Sequence, residues 1–83
     1  MKIFKADQKI LNKYLNGKKI KQTLQTPLKN VRAYTTEDNQ ALFISTQKGR
    51  ERVSSLLALI ASQKGWNLSI NTEGSYLVCL LEQ

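Results

Sequence analysis

NLSINTEGSYLVCLL, residues 67–81, alternates apolar and polar side chains in its first half and is apolar on both faces in its second. Leu68 and Ile70 point one way, and Asn67, Ser69 and Asn71 the other, which predicts a half-buried strand from Asn67 to Thr72. Glu73-Gly74 supplies a tight turn. The strand that follows, Ser75 to Leu81, carries the run YLVCLL and needs cover on both sides of its sheet. Either both helices and the N-terminal arm wrap this strand fully, or a chain this short leaves one of those sides without cover. Tyr76, Val78 and Leu80, or else Leu77, Cys79 and Leu81, would then meet a second copy or another protein, with Leu59 extending the patch.

Upstream of this hairpin, Val53, Leu56, Leu57, Ile60 and Ala61 recur at i, i+3, i+4, i+7 and i+8, which predicts a helix over Gly49 to Lys64. Gly65 suits the left-handed position that ends it, and Trp66 follows where an apolar residue packs back. Further upstream are two β-rich runs, Val31 to Thr36 and Gln40 to Thr46. Glu37-Asp38-Asn39 lies between them as a hairpin turn.

Ile10, Leu11, Tyr14 and Leu15 share one side of a first helix over Ala6 to Asn16, with Asp7 in its first turn. After Asn16-Gly17, Ile20 and Leu24 are spaced as one more helical turn within Lys18 to Thr26, a region that Pro27 closes. Lys2 to Lys5 reads as a short strand or an extended arm.

The expectation is one domain over residues 1–83 of α+β class. Two helices pack chiefly on one face of a four- to five-stranded, mainly antiparallel sheet, in the order helix–hairpin–helix–hairpin. A central strand at Lys2 to Lys5 would instead make the order ferredoxin-like.

The inventory narrows the chemistry. Without histidine the chain lacks the common general base and the nucleophile–histidine pairs of hydrolases. Its one cysteine, Cys79, sits in the apolar run and reads as a core residue in reducing surroundings. The six acids show no metal-binding spacing, and the four glycines stand singly at element ends. No catalytic residue, metal, cofactor or small-molecule substrate is expected. No apolar run spans a bilayer and no signal core follows Met1, so a cytoplasmic protein without membrane attachment is expected.

Charge is the positive signal. The chain has 13 Lys and Arg against 6 Asp and Glu, a net +7. Residues 1–32 hold nine cations and a single acid, Asp7, whereas residues 33–83 hold four cations and five acids. All of the excess therefore lies in the first part of the chain, as expected when one face meets a polyanion. Lys9, Lys13, Lys18, Lys19 and Lys21 are expected to cluster within a few turns. Arg32 offers the one bidentate fork nearby, and Tyr34, on the same strand face, offers a ring for stacking. These residues predict a non-enzymatic nucleic-acid-binding protein, DNA or RNA, whose binding is salt-dependent and weakly sequence-specific. The alternative is a small adaptor or inhibitor of the kind phages and mobile elements encode, acting through the C-terminal strand and second helix, with a homodimer among its forms.

In element order alone, helix–hairpin–helix–hairpin resembles the double-wing DNA-binding domains of phage transcription activators. That resemblance implies contact with duplex DNA through strands and wings and carries over no residue.

Overall fold

A computed structural model describes residues 5–25, 31–46 and 50–83. The elements are α1 (Lys5–Leu15), β1 (Ile20–Gln25), β2 (Val31–Thr36), β3 (Gln40–Thr46), α2 (Arg50–Lys64), β4 (Asn67–Glu73) and β5 (Tyr76–Glu82). The strands form one sheet in the order β1-β2-β3-β5-β4, antiparallel at every junction. The class is α+β, as the composition of the segments predicts. The order is helix, three strands, helix, two strands, one strand more than the expected alternation of helices and hairpins.

That extra strand is β1. Ile20 and Leu24 were expected on one turn of helix, but the segment pairs with β2 from Ile20 opposite Thr36 to Gln25 opposite Arg32. A register shift between Ile20 and Gln22 explains the misleading spacing. The additional residue reverses the alternation, so Ile20 faces the α1 side and Leu24 the other. In the alternative in which Lys2 to Lys5 forms a strand, residues 2–4 lie outside the described residues; Lys5 itself opens α1.

The helices lie on opposite faces of the sheet, not chiefly on one. Ile10, Leu11 and Leu15 of α1 pack with Tyr34, Leu42, Ile44 and Val78, while Tyr76 and Leu80 close the edge of that cluster. Val53, Leu57 and Ala61 of α2 pack with Val31, Leu77, Cys79 and Leu81. The alternating side chains of β3 and β5 thus divide between two cores, and YLVCLL is covered on both sides within the chain. Cys79 is fully buried, and burial pushes its thiol pKa up to about 11.

The ends of α2 follow local rules. Gly65 has φ +69°, and the Trp66 amide donates to the Ala61 carbonyl at 3.0 Å, the six-to-one bond of a Schellman cap. This closure also turns the chain into β4. Between β2 and β3, Asn39 takes φ +65°, and the Gln40 amide bonds back to the Thr36 hydroxyl at 3.2 Å.

Candidate nucleic-acid interface

Helix α1 is tied to the sheet near both of its ends. At the first turn, Asp7 occupies the same stripe as Ile10, Leu11, Tyr14 and Leu15 and is fully buried. Strand alternation puts Arg32 and Tyr34 on the sheet face beneath it. Arg32 donates through Nε to Asp7 Oδ2 at 2.6 Å and through its terminal nitrogen to Oδ1 at 2.8 Å, while the Tyr34 hydroxyl also donates to Oδ2. The hydrogen bonds to Asp7 raise the pKa of a guanidinium that is already always charged.

The second tie is Glu73, the last residue of β4. Its Oε1 accepts from Lys13 Nζ at 2.5 Å and from the Tyr14 hydroxyl at 2.9 Å. The Lys13 bond, followed by that of Tyr14, holds the Glu73 carboxyl below the usual range, and the same Lys13 bond lifts the ammonium above its own. Burial, and then the bond to Glu73, raises the Tyr14 phenol.

On its outer side α1 presents Lys5, Gln8, Lys9, Asn12 and Lys13, all exposed. The lysines recur at i, i+4 and i+8 and so form one row along the helix. Gln8 Nε2 donates to Asn12 Oδ1 at 3.4 Å beside it. The helix itself adds no acid to the row, because its only carboxylate is turned into the protein, and the one acid that meets it is Glu73 of β4, at Lys13.

The remaining predicted cations stand apart from that row. Lys18 donates to Asp38 Oδ2 and to Gln40 Oε1, each at 2.7 Å; Lys18, then Thr36, keeps the Asp38 carboxyl low. Lys19 is exposed next to it. Lys21 sits in the bulge of β1, on the wall of an open hollow of about 210 Å³ shared with Thr35, Gln40 and Trp66. The expected single cluster of five lysines therefore divides in two, since residues 20–25 run as a strand away from the helix.

Among the described residues, Lys5, Lys9, Lys19 and Lys21 make no ion pair, whereas Lys13, Lys18 and Arg32 are engaged by Glu73, Asp38 and Asp7. Lys13 nevertheless keeps 66% of its side chain exposed. The Tyr34 ring is completely buried, which leaves no face for a base to stack on. Val78 is likewise fully buried, and Tyr76 and Leu80 pack beside it under α1. Leu59 is 56% exposed, and Leu56, which the spacing assigned to the core stripe, is 48% exposed.

The local pattern missed Lys5, Gln8 and Asn12: Lys2 to Lys5 reads as a short strand or an extended arm, and Gln8 and Asn12 are uncharged positions within the expected helix. The spacing Lys5–Lys9–Lys13 was the available signal. It also missed the role of Asp7. An acid three and four residues before Ile10 and Leu11 shares their stripe, and that position called for a buried cation or hydroxyl partner.

Among the described residues no three Cys, Asp or Glu side chains gather as a metal-holding group, and no helix is long and apolar enough to cross a membrane. No known family model, curated protein or solved structure matches this chain.

Proposed function

We propose that this protein binds nucleic acid, without catalysing a reaction on it, through the outer face of α1. The observation that carries the reading is the row Lys5–Lys9–Lys13, in which Lys5 and Lys9 make no ion pair and Lys13, though bonded to Glu73, keeps 66% of its side chain exposed, on a helix whose own carboxylate is buried against Arg32 and Tyr34. A helix fastened at both ends offers its cations without first having to become ordered, which lowers the entropic cost of docking. An α-helix also fits the major groove of a duplex, where Gln8 and Asn12 have amides that can bond base edges.

Each phosphate neutralised on a duplex contributes about 0.9 to the salt slope, so Lys5 and Lys9 predict a slope of roughly 2, to which Lys13 adds only by exchanging Glu73 for a phosphate. Lysine contributes charge more than discrimination, which favours weak sequence preference. Fluorescence-anisotropy titrations with mixed-sequence DNA and RNA over a salt series test this. Salt-sensitive binding that Lys5→Glu/Lys9→Glu abolishes is expected. Absence of binding at low salt, or affinity unchanged in that variant, overturns the proposal.

A second reading, a protein-binding adaptor or inhibitor, draws on the exposure of Leu56 and Leu59 along α2. Leu56→Ser/Leu59→Ser would then abolish nuclease-resistant recovery of a partner from the native host while leaving nucleic-acid affinity intact. Recovery unchanged in that variant would refute it.

A further inference from the structure

The two edges of the sheet are unlike. The β1 edge is interrupted by its bulge, places Lys21 within it and has Lys18 and Lys19 leading into it, all of which hinder another strand from joining. The β4 edge has none of these devices. Asn67 to Glu73 pairs with β5 without interruption, contains no lysine or proline, and bears Ile70 at its midpoint with 46% of its surface exposed. Among the described residues no strand covers its outer side. By alternation from the Glu73–Tyr76 pair that closes the two-residue turn, the amides and carbonyls of Leu68, Ile70 and Thr72 point away from β5.

We infer that β4 is a homodimer edge. In this dimer, the β4 strands of two copies pair antiparallel about a two-fold axis through Ile70, joining two sheets into one of ten strands. The strand is complementary to itself about that centre. Ile70 meets Ile70 of the second copy, and Leu68 meets Thr72, all on the α2 side. Ser69 meets Asn71, and Asn67 meets Glu73, on the α1 side.

Like charges never oppose one another in this register. The wider electrostatics agree: residues 50–83 hold Arg50, Arg52 and Lys64 against Glu51, Glu73 and Glu82, so this half is neutral and the whole +7 resides in residues 1–49. The edge strand, β5 and α2 thus add no net charge of their own, and the Lys13 ammonium that reaches this strand is bonded there to Glu73. The axis runs perpendicular to the sheet, so both α1 helices come to lie on the same face.

The test uses the full chain without nucleic acid, so its outcome is independent of the α1 reading. Sedimentation equilibrium is expected to give twice the 9.4 kDa chain mass at high concentration. Ile70→Lys is expected to halve that mass while retaining the native circular-dichroism spectrum. Ile70→Cys is expected to form an intermolecular disulfide on mild oxidation, because a hydrogen-bonded antiparallel pair has Cα atoms about 5.5 Å apart, within disulfide reach. Thr72→Cys, whose two copies lie offset along the strands, is expected not to. A native monomer, a dimer that survives Ile70→Lys, or equal cross-linking of the two cysteine variants overturns the inference.

Discussion

Replacing Asp7 by alanine removes a carboxylate that three hydrogen bonds from two partners hold in place. Arg32 loses both of its bonds to that group, and the hydroxyl of the fully buried Tyr34 loses its bond as well. Breaking a buried ion pair from one side costs about 3–5 kcal/mol, and an orphaned buried hydroxyl about 1–3 kcal/mol. These costs overlap because they arise from one deletion. The Arg32 side chain is 22% exposed and regains some water, so the lower end applies, about 3 kcal/mol. That is a large fraction of the 5–15 kcal/mol typical of a domain. With a urea slope of about 1 kcal/mol/M for a chain this small, the midpoint falls by about 3 M. Urea melts followed by circular dichroism measure it. The triple variant Asp7→Leu/Arg32→Met/Tyr34→Phe, which removes these three polar groups together, is expected to recover most of the loss. A shift in Asp7→Ala of less than about 0.5 kcal/mol, the scale of an ordinary surface change, would refute the reasoning.

The Glu73 carboxyl lies low and the Lys13 ammonium lies high, so their bond stabilises the fold above the unfolded pKa of the glutamate and below that of the lysine. Its contribution disappears as pH falls through the depressed Glu73 pKa, and again as pH rises through the raised Lys13 pKa. Urea melts of the native protein and Glu73→Gln across pH should therefore differ most near neutrality and converge toward acid; a difference independent of pH would contradict this. The Cys79 thiol, buried and raised to about 11, should react with a disulfide reagent at mildly alkaline pH only as fast as the protein opens. Rapid labelling of the native state would show that α2 does not seal it. At Gly65, φ +69° makes alanine cost about 1–2 kcal/mol even though no atom lies within 4 Å of the added methyl; thermal melts of Gly65→Ala with no loss would contradict the strain.

The β4–β5 hairpin, the β2–β3 hairpin and both helices were legible because their signals are local: alternation, turn residues, a glycine cap and helical spacing. Strand β1 was not, since Ile20 and Leu24 reach opposite faces only through a bulge that exists by virtue of pairing with β2. The two-faced character of YLVCLL was legible, but which helix covers which face is a property of the assembled layers. The excess charge in the first part of the chain was also plain, yet its partition was hidden. Lys13, Lys18 and Arg32 find acids that come from β4, from the β2–β3 turn and from the buried side of α1 itself. Side-chain pairing between distant segments leaves no mark in local spacing.

Strand β5 follows β4 along the chain but inserts between β3 and β4, so Gln40 lies opposite Glu82 and Thr46 opposite Tyr76. Synthesis therefore delivers both flanks of this gap before the piece that fills it. Until β5 arrives, the apolar rows of β3 stand open along one side, and the early segments have no complete sheet on which to settle. Commitment to the native state therefore waits on the long-range pairing of β3 with β5, and pairing across so much intervening chain is slow to form.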